Sequence, residues 1–253
     1  MTIAEFAPLF SGRLAEYADC FVRQAETPAP VPGVMLADRA FIAGQVELFT
    51  QAHYPGGDRR AAASMWSKAH FATLLPPFMA LTLLLQRSVD LRLGSIGCTF
   101  GPDGALRHIH LADTGRTQPA PMGEARFEGL TDGHLSPLIA ALSAAGGVSK
   151  RVLWSNAGNV FDIAARRAAA VIGTTAAIAD ALYLLEQRRL ADGRVNPLHL
   201  PVRYRETPEG TDRRRRVCCI RYLIGRLGYC SNCPLPEAHA ADPPFRPSAR
   251  LPD

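Results

Sequence analysis

Apolar residues recur at helical spacing through much of the chain, and proline- or glycine-rich stretches punctuate them. Residues 2–25 read as an amphipathic helix, and ETPAPVPG (26–33) as a proline-rich linker. Ala40, Ala43, Val46 and Phe49/Thr50 mark a second helix over 36–52, closed by the turn YPGGD. AAASMWSKAHFATLL predicts a third helix, stopped at Pro76, with Pro77 opening another that runs to about Arg87. The period then changes. IGCTF, GPDG and ALRHIHLA predict a β-hairpin turning at Asp103-Gly104, and a further short strand is placed near 124–130. Helical spacing returns over 135–145, Gly146-Gly147 ends it, and Ser149 caps a helical region from Lys150 to about Arg189. Breaks are expected there at Asn156-Ala157-Gly158-Asn159 and at Gly173.

The sum is an α+β chain, mostly helical, with a small antiparallel sheet or hairpin and a C-terminal cysteine-cluster segment. Four regions are expected: an N-terminal helical region (1–58), an α+β core (59–200), an arginine-rich loop with the cysteine segment (201–236) and a disordered tail (237–253).

Length adds that 253 residues can bury a real core without staples. The most apolar stretch, 71–85, is interrupted by Pro76 and Pro77 and falls short of the roughly 20 residues that span a bilayer. The N-terminus has no basic start followed by an apolar run, so a cytoplasmic protein with reduced thiols is expected. Charge is unevenly spread. Residues 201–226 hold eight arginines against three acids, an excess equal to the whole chain's net +5. Such an asymmetry points to an anionic partner or a tuned site. A nucleic-acid partner is disfavoured, because no aromatic interleaving or known binding module accompanies the arginines.

Four of the six cysteines sit in RVCCIRYLIGRLGYCSNCP, spaced C-C-x10-C-x2-C. In a reducing compartment this favours a metal or redox site over disulfides. Adjacent cysteines make a poor zinc knuckle, since neighbouring side chains diverge. A two-iron cluster presents ligand positions further apart and suits divergent thiolates better. On spacing, an iron–sulfur site leads, with zinc and free redox thiols as alternatives. A zinc-stapled module holding an acidic or nucleic-acid partner on its basic loop is the competing function.

RRRRVCCIRYLIGRLGYCSNCP resembles the C-terminal signature of the FhuF-like family of cytoplasmic ferric-siderophore reductases. MWSKAHFATLLPP and RVLWSNAGNVFDIAARR are similar to two helices of the same family, and the likeness spans roughly residues 60–236. The resemblance implies a [2Fe–2S] cluster held by Cys218, Cys219, Cys230 and Cys233. It implies one-electron reduction of a ferric siderophore of hydroxamate type, which releases the more weakly held Fe²⁺. The chain shows no flavin or nicotinamide motif, so a separate electron donor, such as a ferredoxin or a flavin reductase, is expected, together with a transient association with the inner membrane face. Such chemistry needs no nucleophile or general base, and no Ser-His-Asp pattern, GxGxxG or phosphate loop is present.

Arg216 and Arg221 flank the CC pair most closely and are candidates for tuning the potential and attracting the chelate. The alternative for 213–216 is a solvated loop. Trp66 and Lys68 on one helix, and Trp154 and Asn156 on another, are candidate chelate contacts, with core packing the competing role for the aromatic pair. His108 and His110 share a strand face but lack a third ligand, and Cys20 and Cys98 read as small core hydrophobes.

Overall fold

A computed structural model describes residues 3–24, 30–115, 121–208 and 210–235. The tail expected from 237 onward lies outside the described residues, as does half of the proposed linker, residues 26–29. The strands are β1 (Phe21–Arg23), β2 (Val31–Pro32), β3 (Ile96–Phe100), β4 (Leu106–Leu111), β5 (Val202–Thr207) and β6 (Gly210–Arg215). The helices are α1 (Arg39–His53), α2 (Arg59–Leu84), a single turn α3 (Glu128–Leu130), α4 (Ser136–Gly146), α5 (Lys150–Ile172) and α6 (Ala176–Glu186). The chain is α+β and mostly helical. Its two long helices, α2 and α5, pack side by side, and one apolar core reaches from Ile3 to Leu198.

Residues 3–24 depart from the expected helix. They form turns, a 3₁₀ segment (Gly12–Tyr17) and β1, which adds in parallel to β4. Ile3, Phe6 and Phe10 are buried, so the apolar positions anchor the segment to the core. The sheet order is β1-β4-β3-β2, antiparallel apart from that one parallel edge. The β3–β4 hairpin forms where predicted. Gly104 takes φ +71°, and a Cβ there would meet the Gln45 carbonyl at 2.3 Å, so only glycine fits. No strand forms near 124–130. That stretch is a 3₁₀ turn, α3 and a π turn leading into α4.

Pro76 and Pro77 do not stop α2. They remove the donors to the carbonyls of Ala72 and Thr73, yet the proline φ is helical, and Leu74, Leu75, Pro77 and Phe78 are all buried. Continuous burial therefore overrides the local penalty. Likewise α5 runs through Asn156-Ala157-Gly158-Asn159 and ends at Gly173. Gly158 is a close-approach residue there: a Cβ would lie 2.7 Å from the Pro201 ring. Ser149 caps α5 as predicted, accepting from the Arg151 amide.

A buried histidine pair locks α2 to the loop before α4. His134 Nδ1 lies 3.0 Å from the Leu91 carbonyl and so carries the proton that it donates. Its bare Nε2 then accepts from His70 Nε2, 3.4 Å away. Burial lowers both pKa values, His134 to about 4. Both rings are neutral in the fold, whereas an unfolded histidine titrates near 6.5. The stability of this pair is complete above pH ~6.5 and is lost as pH falls from there toward 4. For His134 alone the loss is about 3 kcal/mol. Denaturant midpoints at pH 7.5 and pH 5 should therefore differ more for the parent protein than for His134→Gln. Equal differences would rule the pair out as the cause.

Candidate functional site

The run 213–216 is not a solvated loop, since Arg213, Arg214 and Arg215 lie on β6. Strands β5 and β6 pair from Val202↔Arg215 to Thr207↔Gly210. Arg213 and Arg215, two residues apart, project toward α5. Strand neighbours two apart are about 6.7 Å apart, close to the rise of one helical turn. They meet a polar stripe on α5 at Ser155/Asn156, Asn159 and Asp162. Arg213 donates to Asn159 Oδ1 at 2.9 Å and pairs with Asp162 at 2.9 Å. Tyr204 also donates to Asp162. Arg214 pairs with Asp212 at 2.9 Å. The charge excess is thus largely built into the fold.

Arg215 is 2% exposed. Its Nη2 donates to Asn156 Oδ1 and, at 3.3 Å, to Ser155 Oγ. Its Nε is buried with no protein partner. Asn156 uses its amide nitrogen to reach Ser64 Oγ (3.0 Å) and Ser67 Oγ (2.9 Å) on α2. Ser64 Oγ in turn donates to the Cys219 carbonyl at 2.7 Å. The Arg215 amide donates to the Asn232 carbonyl at 3.0 Å. One buried polar network therefore ties α2, α5 and β6 to both ends of the cysteine segment.

That segment folds back on itself after Cys219. Ile220 takes a left-handed conformation (φ +53°), and two 3₁₀ turns follow at Arg221–Leu223 and Gly225–Leu227. The ten residues between the cysteine pairs thus make a compact return. The Sγ atoms of Cys218 and Cys233 stand 3.8 Å apart, and those of Cys219 and Cys230 4.0 Å apart. Each pair joins one buried thiol, Cys233 or Cys219, to one half-buried thiol, Cys218 or Cys230. The adjacency of Cys218 and Cys219 sends one thiol to each pair.

Electrostatics differ between the thiols. Burial pushes Cys218 up to about 11. Cys219 is held below the usual thiol range by the hydrogen bond from Cys230, aided by the charges of Lys68 and Arg215. Cys230 is raised by that same bond. Cys98, pushed up to about 12 by burial, is inert in the core.

The other candidates separate. Lys68 is half-buried and its charge reaches Cys219. Asn156 belongs to the network beneath the thiols. Trp66 is 1% exposed, donates to the Gly104 carbonyl at 2.9 Å and stacks on His70, so it is a core residue. Arg221 turns inward, donating to the Leu227 carbonyl at 2.6 Å, and clasps the return loop. Arg216 reaches the His199 carbonyl at 3.3 Å and lines a separate cavity together with Trp154. His110 bonds Thr99 and His108 bonds the Asp19 carbonyl, so both are partnered by the fold. Spacing along the chain missed Arg215, Ser64 and Asp162. The alternation of arginines at 213 and 215 and the polar positions 156, 159 and 162 carried the signal for two of them.

The thiol pairs fit metal chelation. A tetrahedral metal with thiolate bonds of about 2.3 Å holds two of its sulfurs about 3.8 Å apart. Both pairs match that edge. Among the described residues no three of histidine, cysteine, aspartate and glutamate converge to hold one ion; the four thiols stand as two pairs.

Residues 64–212, more than half the chain, match the family model described as "Ferric iron reductase FhuF-like transporter". The match ends just ahead of the four cysteines. The chain is also similar to a "Ferric siderophore reductase" of Escherichia coli (strain K12), 25% identical over 183 residues, covering 70% of this chain and 67% of that protein.

Proposed function

The chain belongs to the FhuF-like ferric iron reductase family, and from that premise we propose that it is a ferric-siderophore reductase using a [2Fe–2S] cluster. Cys218 and Cys233 would hold one iron, and Cys219 and Cys230 the other. The observation that carries this reading is the pair of Sγ separations, 3.8 and 4.0 Å, each one tetrahedral edge, with each pair taking one member of the adjacent cysteines. When bound, the cluster supplies a one-electron couple. The chain's own residues do the rest. Arg215 and Lys68 place positive charge against the thiolates, which favours the reduced and more negative state. Ser64 and Asn156 fix the backbone that presents Cys219. The half-buried Cys218 and Cys230 leave the site approachable from one side, where a chelate can receive an electron.

The substrate is a ferric siderophore, the product is Fe²⁺, and the electron comes from a separate ferredoxin or flavin reductase. A cytoplasmic setting would keep these cysteines reduced for metal binding. Among the described residues no helix is long and apolar enough to cross a membrane. Anaerobic purification followed by a visible spectrum and iron and acid-labile sulfide assays tests the reading. Two irons and two sulfides per chain, bleached by dithionite and recoloured by a ferric siderophore, are expected. A colourless protein holding one zinc would sink it and favour a zinc-stapled binding module.

A further inference from the structure

Val217, the residue before Cys218, forms part of the wall of a cavity of about 400 Å³. Arg151, Arg188, Arg216 and His199 line it, and Trp154, Leu200 and Pro201 give it apolar surface. The cavity opens beside the first turns of α5, whose N-terminal amides add positive potential. Among the described residues, none of Arg151, Arg188, Arg203 and Arg216 forms an ion pair with a carboxylate. Among the described residues no acidic side chain lines the cavity. These cations feel one another. Burial first, then the guanidiniums of Arg216 and Arg188, lower the pKa of His199. Burial, then Arg203 and Arg151, lower that of Arg216. On β5–β6, by contrast, Arg205, Arg213 and Arg214 each have a carboxylate, and Arg215 is held by Asn156 and Ser155. Three guanidiniums without a carboxylate, those of Arg151, Arg188 and Arg216, therefore meet at one concave site beside an indole, and an anion bound there would relieve the repulsion.

We propose that this cavity takes one arm of a net-negative, aromatic ferric chelate of the catecholate type and brings it against the wall that leads to Cys218. This deepens the reductase reading and rests on it for the fate of the iron. The volume lies near the lower end of small-ligand sites, about 300–1,000 Å³, and suits one arm rather than a whole hexadentate chelate. The arm's flat ring stacks on Trp154 while the arginines meet the negative charge of the complex. The hydroxamate class implied by family resemblance offers this site less, because a neutral trihydroxamate complex has no net charge to set against three guanidiniums.

Gallium(III) complexes separate binding from reduction, since gallium matches the charge of Fe³⁺ and is not reduced. Calorimetry on the full chain, with and without its cluster, should show gallium tris(catecholate) binding at least about tenfold more tightly than a neutral gallium trihydroxamate, with the advantage shrinking as salt rises. The exposed double variant Arg151→Glu/Arg188→Glu should remove that advantage, and Trp154→Leu should weaken the catecholate complex. Equal affinity for the two complexes, or indifference to the arginine variant, overturns the proposal. Gallium citrate binding as tightly as the catecholate complex, undiminished by Trp154→Leu, overturns the aromatic assignment. A protein without an iron–sulfur cluster would end the reductase reading and leave these binding outcomes readable, because no electron transfer is involved.

Discussion

Cys219→Ser is expected to strip the protein of its iron and sulfide and to lower ferric-chelate reduction by more than about 100-fold. Outer-shell changes around metal sites already cost about 10–100-fold, and the loss of a ligand itself exceeds that. Cys219 is the position where most of the site converges. Its Sγ lies 4.0 Å from Cys230, its carbonyl accepts from Ser64, and it is fully buried. Of the thiols whose protonation departs from the ordinary, it alone is shifted toward the thiolate, the form that binds metal. A serine hydroxyl stays protonated under the same charges, so the pair with Cys230 is lost. The backbone anchor to Ser64 survives, which confines the damage to the metal. In the proposed site metal closure would tie residue 218 to 233 and 219 to 230, so the return loop should also open when the ligand is gone. Limited proteolysis within 216–235 should accelerate in the variant, while Cys98→Ser, in the distant sheet, should retain full iron content. Retention of iron and sulfide by Cys219→Ser would remove it from the ligand set.

The second large effect belongs to Arg215. Arg215→Met keeps the length of the side chain and deletes its charge. The midpoint potential of the holoprotein should fall. Its charge acts on Cys219, Cys230 and Cys218, and a unit charge near such a site at an effective dielectric near 20 shifts a one-electron potential by on the order of 100 mV. Because Arg215 is buried, salt should not mask this shift as it would for a surface arginine. Arg215→Lys should recover much of the potential. Stability is a separate matter. Removing the guanidinium orphans Asn156 Oδ1, at about 1–3 kcal/mol, but also relieves the desolvation of a buried cation. Redox titration followed by electron paramagnetic resonance reads the potential independently of folding. A potential unchanged in Arg215→Met, with the cluster retained, would show that this arginine only supports the fold. Arg221→Met, which removes a clasp on the Leu227 carbonyl, should move the potential less than it moves thermal stability.

The chain's pattern was sufficient for several features because their causes are local. The β3–β4 hairpin follows from a period-two run interrupted by Asp103-Gly104, where a left-handed glycine is required. The Ser149 cap and the glycine break at 173 are likewise settled within a few residues. Elsewhere local rules lost to packing. Pro76 and Pro77 remain inside α2 because the surrounding residues are buried on most sides, and Gly158 remains inside α5 because Pro201 crosses it. Residues 3–24 carried a helical pattern, yet their aromatic anchors and the open edge of β4 drew them into turns and a strand.

The candidate site divides in the same way. By itself the sequence determined which thiols belong together as a set, since CC-x10-CxxC places four metal-binding groups on one short segment. It also determined that positive charge lies beside them. Only the tertiary structure decided which cysteine faces which, because that depends on how the ten intervening residues fold back from a left-handed Ile220. Only it decided which arginine the thiols feel. Arg216 and Arg221 are nearest along the chain, but strand alternation turns Arg215 into the interior against Ser155 and Asn156, and it sends Arg216 to a cavity with Arg151 and Arg188. Proximity in sequence sets a charge's neighbourhood, while the side of the strand on which it emerges sets whether that charge tunes the thiols or meets a ligand.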